Sequence, residues 1–203
     1  MQDKNHWEQV YRSKSPQAVS WFQPEAAVSL RLIRAATDNR AAVIDVGGGA
    51  STLVDGLLDA GYRDLTVLDL SGAALAAARE RLGARATGVH WLEADALLAQ
   101  LPARAYDVWH DRAVFHFLTA PDERAAYVRQ VLHAVKPGGH VIVASFAEDG
   151  PLQCSGLPVM RYAPDELHAQ FGAPFTLLHH EREEHRTPGG TVQQFVYCFC
   201  RKT

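Results

Sequence analysis

Cysteine is scarce in this chain: three in 203 residues, Cys154, Cys198 and Cys200. They are unevenly placed and none belongs to a Cys-x-x-Cys pair, so a disulfide framework is excluded and reduced thiols are expected. His, Cys and acidic residues nowhere fall at zinc-ligand spacing, and no metal site is expected. No apolar run approaches the roughly 20 residues that cross a bilayer. Met1 to Trp7 also lack the apolar core of a signal peptide, so a cytosolic protein without membrane contact is expected. An excess of charge of one sign is missing too. Twenty Lys and Arg face 23 Asp and Glu for a net charge of −3, which leaves no basic footprint for a phosphate backbone and excludes nucleic acid as a partner. Internal repeats and low-complexity tracts are absent, which removes solenoids and disordered tails. What remains, 47% hydrophobic and 21% charged residues, has the composition of one globular domain with a well-buried core, and it sets no oligomeric state.

Within that frame one stretch stands out, Val43-Ile44-Asp45-Val46-Gly47-Gly48-Gly49-Ala50-Ser51. Apolar and β-branched residues lead into an acidic residue and a glycine triplet, and Thr52 to Leu58 then shows the i, i+3, i+4 recurrence of a helix. This reads as strand, turn, helix. Glycine lets the turn adopt left-handed angles and lets a ligand approach the main chain, while the helix start offers unpaired N–H groups. A second strand, Leu65 to Leu68, ends in Asp69, where a carboxylate accepts from both hydroxyls of a ribose.

The spacing is Asp-x-Gly-x-Gly-x-Ser, not the Gly-x-Gly-x-x-Gly of nicotinamide enzymes, and that reading fails. The motif instead resembles the first motif of the class I, seven-strand S-adenosylmethionine-dependent methyltransferases, with Ser51 in place of the last glycine. The resemblance continues through Val67 to Ser71, Leu92 to Ala96, Tyr106 to Asp111 and the Lys136-Pro137-Gly138-Gly139 turn, in order across about 40–147. It implies an α/β, Rossmann-like, doubly wound and mostly parallel sheet of order 3-2-1-4-5-7-6 with the last strand antiparallel. It implies S-adenosylmethionine as cofactor, bound by Tyr11, Asp45, Gly47, Gly48, Gly49, Asp69, Leu70, Asp95, Ala96 and Asp111. In the family the Asp95 and Ala96 positions read the adenine, and an N-terminal helix folds over the cofactor.

Residues 3–13 read as a short helix with Trp7, Val10 and Tyr11 on one side, which either packs on the core or, as in the family, folds over the cofactor with Trp7 and Tyr11 one turn apart; on the second reading 1–23 is assigned as a lid region and 24–203 as a single methyltransferase domain. A helix from Glu25 to Ala36 is expected with Pro24 at its start. Ser71 and Gly83 bracket a helix from Gly72 to Leu82, and Asp95 would cap a short one from Ala96 to Gln100. The fourth strand is expected at Ala105 to Trp109, with His110-Asp111-Arg112 on the loop beyond it. A helix from Pro121 to Val135 would stop at Pro137-Gly138-Gly139 before a strand from His140 to Phe146. The aperiodic connection 147–164 reads as an acceptor-binding loop, and a terminal hairpin, Phe175 to His185 and Thr191 to Cys200, finishes the sheet.

Methyl transfer needs alignment and exclusion of water; a thiolate or neutral amine needs no base, whereas a hydroxyl or ammonium must first lose a proton. His110, His116 and Asp111 are the candidates for that work because they lie near the crevice. Asp111-Arg112-Ala113 resembles the Asp-Lys-Gly segment of a branch that includes protein-lysine methyltransferases, but departs from it at Arg112 and Ala113. No Asn-Pro-Pro-Tyr-like tetrapeptide, the sign of base or glutamine methylation, follows the fourth strand. A small-molecule acceptor (thiol, amine, hydroxyl or metalloid) is therefore the expectation, with a protein lysine or a non-catalytic binding module as alternatives. His179, His180 and His185 are expected at the surface.

Overall fold

The computed structural model describes residues 3–203. Strands β1 (Ala42–Val46), β2 (Asp64–Asp69), β3 (Val89–Glu93), β4 (Tyr106–Arg112) and β5 (Val135–Phe146) run parallel. After β5 comes a two-stranded hairpin, β6 (Gln153–Cys154) and β7 (Leu157–Pro158). Strands β8 (Phe175–Arg186) and β9 (Val192–Lys202) are antiparallel, and the large sheet has the order β3-β2-β1-β4-β5-β9-β8. With the small hairpin set aside this is the seven-strand order that the sequence predicts.

The central strands are apolar on both faces because helices cover both. Alternate residues divide between two cores: Val43, Val108 and Ile142 point towards α2 (Ala27–Ala36), α3 (Leu53–Asp59) and α4 (Gly72–Leu82). Ile44, Trp109 and Val141 point towards α5 (Pro121–Ala134) and α6 (Pro164–Phe171). Helix α4 begins and ends where expected, with the Ser71 hydroxyl accepting from Ala74 N and Gly83 closing it at φ 58°.

Several local expectations are corrected. Helix α2 starts at Ala27, leaving Pro24 outside it. Residues 96–100 form turns, not a helix: Asp95 spends its carboxylate on Leu97 N at 2.8 Å and its carbonyl on Leu98 N and Ala99 N. Strand β5 begins at Val135 and runs through Pro137-Gly138-Gly139, because a register shift opposite Tyr106 and Val108 accommodates the glycines in the ladder. Most consequential, β4 extends to Arg112, so His110, Asp111 and Arg112 are ladder residues paired with Ile142, Val143 and Ala144. His185 is buried, sharing a 2.7 Å hydrogen bond with the Ser20 carbonyl. Among the described residues no helix is long and apolar enough to cross a membrane.

Candidate active site

The site forms where the strand order reverses, at the carboxyl ends of β1, β2 and β4, as an open parallel sheet dictates. Gly47 leaves β1 at φ 69° and, with Gly48, donates its N–H to the Leu68 carbonyl, at 2.7 and 3.3 Å. A Cβ on Gly47 would lie 1.9 Å from Val114, so the turn after β4 packs directly on this main chain. Ser51, standing at the glycine position of the motif, accepts from Leu53 N at 3.1 Å and so satisfies the first N–H of α3.

Asp69 ends β2 with one oxygen accepting from Ser71 N at 2.8 Å and the other beside Gly49. It is buried, and burial, with the nearby Asp45 carboxylate adding to it against the Ser71 N–H, pushes its carboxyl up to about 7. Asp69 and Leu70 line a cavity of about 80 Å³. Gly47 joins them on one side, Ala94 to Leu97 form one end, and Arg112 to Val114 form a wall.

The roof is aromatic. Helix α1 (Lys4–Ser13) brings Trp7 and Tyr11 over the cavity, and Trp21 and Phe117 complete it. Ring centroids lie 5.8 Å apart for Trp7 and Trp21 and 5.1 Å apart for Trp7 and Phe117, edge to face. Trp21 Nε1 donates to the Tyr11 hydroxyl at 3.2 Å. Burial first, and then the Asp69 charge, raise the Tyr11 phenol well above its ordinary range. The helix is held down by Glu8, which accepts from Ser71 Oγ at 3.0 Å and Ala73 N at 3.2 Å. His6 reaches Ser155 of the β6–β7 hairpin at 3.2 Å, so the two ends of the cover touch.

Of the residues singled out from sequence, Tyr11, Gly47, Asp69, Leu70, Asp95 and Ala96 line this cavity. Asp45, Gly48 and His110 line a smaller adjoining one of about 50 Å³, which shares Tyr11, Trp21, Gly47 and Arg112 with the first. Gly49, Asp111 and His116 line neither.

The three acid–base candidates are occupied or isolated. His110 is wedged between Asp45 Oδ1 at 2.7 Å and Ser29 Oγ at 2.8 Å, one ring nitrogen on each. The Asp111 oxygens accept from Val114 N, Phe115 N and the Tyr127 hydroxyl, and this carboxylate folds the turn after β4; burial pushes it up to about 6. His116 is fully buried against Phe117 and Phe146, and burial, then the Arg112 charge, push its imidazole down to about 3, so it stays neutral.

Arg112 is the residue that sequence reasoning passed over. Its guanidinium donates to Glu183, the Tyr197 hydroxyl and the Trp21 carbonyl, lies 4.1 Å from the Phe195 ring centroid, and borders both cavities. Its side-chain partners come from β8 and β9, some 70 or more positions along the chain, so no local motif announces it. Ala113 beside it has φ 72°, the conformation for which the resembling Asp-Lys-Gly segment supplies glycine.

Sheet, switch-point cavity and a carboxylate at the end of β2 together define a Rossmann-like nucleoside-cofactor protein. The methyltransferase domain family model matches residues 43–139. The mouse eEF1A lysine and N-terminal methyltransferase is 23% identical over 138 residues, covering 68% of this chain. The chain spans about a fifth of the length of that relative. Among solved structures, one described under the conversion of a disulfide bond into a thioacetal group during echinomycin biosynthesis superposes with a TM-score of 0.78 at 23% identity, over 98% of this chain and 92% of its own. The Burkholderia thailandensis 1,6-didemethyltoxoflavin-N1-methyltransferase, solved with 1,6-didemethyltoxoflavin and S-adenosylhomocysteine, has a TM-score of 0.68 at 21% identity, over 98% and 84%. Residues 43–139 thus match a methyltransferase domain, and the chain shares its fold with S-adenosylmethionine-dependent methyltransferases.

Proposed function

We propose that the protein methylates a small molecule whose reacting atom already carries an available lone pair: a thiolate, a neutral amine or a heteroaromatic nitrogen. The observation that carries this reading is the closed aromatic roof over a cavity with no unoccupied base. His110 and Asp111 are engaged on all sides and His116 is held neutral away from the cavity. Burial pushes the Cys154 thiol, which borders the cavity, up to about 12, so it stays protonated. With Asp69 and Asp95, the two carboxylates that line the cavity, given over to the cofactor, no group is left to take a proton from the acceptor.

Bound S-adenosylmethionine would supply a sulfonium methyl group, the acceptor's lone pair forming the new bond to carbon in line as the carbon–sulfur bond breaks and the sulfur leaves as the neutral thioether of S-adenosylhomocysteine. Asp69 would take the ribose hydroxyls, Asp95 and Ala96 the adenine, and the Gly47-Gly48-Gly49 turn with Asp45 the methionine end; His110, bonded to Asp45, holds that carboxylate in place. Trp7, Tyr11, Trp21 and Phe117 exclude water and give the acceptor a flat apolar surface. In this reading residues 1–23 are a lid. Two solved relatives described by small-molecule chemistry have the same fold over nearly the whole chain, which supports the acceptor class.

The test is a screen with label on the transferred methyl group against thiols, amines, heteroaromatics, phenols, metalloids and whole-cell protein extract. Label is expected in small thiols or nitrogen heterocycles. Incorporation into protein alone would overturn the reading in favour of a side-chain acceptor.

A further inference from the structure

Sequence spacing offered no metal ligands, yet folding brings three together. Cys198 and Cys200 alternate on β9 and therefore share one face of the sheet, the face covered by α5 and α6. His168, on α6, turns its Nδ1 inward to them, 3.3 Å from Cys200 Sγ and 4.0 Å from Cys198 Sγ, and the two sulfurs are 3.1 Å apart. The three donor atoms lie within 4.8 Å of one another, both cysteines are free and about 1% exposed, and the histidine is only partly buried. None of them lines the cofactor cavity.

We propose that His168, Cys198 and Cys200 form a binding site for a thiophilic divalent cation of the zinc type, a site that ties α6 to the β8–β9 hairpin.

Ligand chemistry favours a cation over the alternatives. Two thiolates and an imidazole are the donors that borderline-soft metals select. With metal–sulfur bonds of about 2.3 Å, a tetrahedral centre sets its sulfurs roughly 3.8 Å apart, so the pair needs to open by less than an ångström. A disulfide fits less well, because residues two apart in an extended strand have Cα atoms about 6.6–6.8 Å from each other, at the upper limit for that bond. Simple core packing calls for small apolar side chains and gives no reason for an imidazole nitrogen aimed at two sulfurs. The exposed side of His168 provides the way in. The fourth position falls to water.

Metal analysis of untagged protein from zinc-supplemented culture should find about one equivalent, and cobalt(II) exchanged into the site should give a near-ultraviolet thiolate-to-metal band. Cys198→Ser, Cys200→Ser and His168→Ala should each weaken cobalt binding roughly tenfold or more, while Cys154→Ser leaves it unchanged. If the variants fail to fold, the wild-type protein still decides, since zinc should protect two of its three thiols from alkylation without denaturant. A cobalt spectrum without the thiolate band, alkylation indifferent to zinc, or a Cys198–Cys200 disulfide in freshly isolated protein would each overturn the proposal. The site does not depend on the methyltransferase reading, and loss of metal with cofactor affinity intact separates the two.

Discussion

In the proposed cofactor site Asp69 does two opposed things: it sits in a buried place that favours its neutral form, and it would receive two hydroxyl donors, which favours the charged form. Asp69→Ala should therefore weaken S-adenosylmethionine binding by about 1.5–3 kcal/mol, measured by calorimetry. The pH dependence has a definite sign. Because the folded-state carboxyl is raised from its ordinary value of 3.8 to about 7, the folded protein holds this proton more tightly than the unfolded chain, and ionisation costs stability as pH rises through that window. The ligand-free Asp69→Asn variant should gain thermal stability relative to wild type as pH goes from about 4 to about 7. With cofactor present the preference reverses, since the ribose rewards the carboxylate, and wild-type affinity should rise over the same window while that of Asp69→Asn does not. A difference in melting temperature that is flat with pH would mean that Asp69 is ionised throughout.

At the scale of elements, the unit from β1 through the glycine turn to β2 was fully legible, because its signals are local: a strand-length apolar run, a glycine triplet, and a second strand ending in an acid. The end of β4 was not. Counting apolar residues stops that strand at Trp109, but the ladder continues because each polar residue beyond it finds a partner from elsewhere: His110 from Asp45 and Ser29, Asp111 from Tyr127, and Arg112 from Glu183. Those partners lie on other strands and helices, and no spacing rule connects them. The same reasoning covers His168, a residue on a helix that reaches two cysteines on β9. The turn after β4 also couples to the first motif through Gly47 and Val114. Gly47→Ala should cost about 1–2 kcal/mol for its left-handed backbone alone, and more for the overlap with Val114. Placing it in a Val114→Ala background should recover the second part only, a coupling of roughly 0.5–3 kcal/mol in urea unfolding. Strict additivity would show that the two turns move apart freely.

For the molecule as a whole, the cavity of about 80 Å³ is well short of the 300–1,000 Å³ usual for small-molecule sites. In the lid reading proposed above the cover lifts for cofactor entry, against the contacts of Glu8 with Ser71 and Ala73, Lys4 with Glu93, His6 with Ser155 and Trp7 with Phe117. Hydrogen exchange in residues 3–22 and 148–162 should slow together when cofactor binds, and removing residues 1–22 should depress turnover far more than melting temperature. Exchange indifferent to cofactor in both segments would make the site an open cleft.

The position of β9 bears on how the chain is made. It is the last strand in sequence, yet it lies between β5 and β8 and pairs with both. Until residues 192–202 leave the ribosome, β5 has an open edge of unpaired N–H and C=O groups, a template for pairing with another chain. The nascent protein is therefore most exposed to aggregation in the interval after β5 has emerged and before β9 has, and β8 and β9 must meet as a hairpin and dock together to close the sheet.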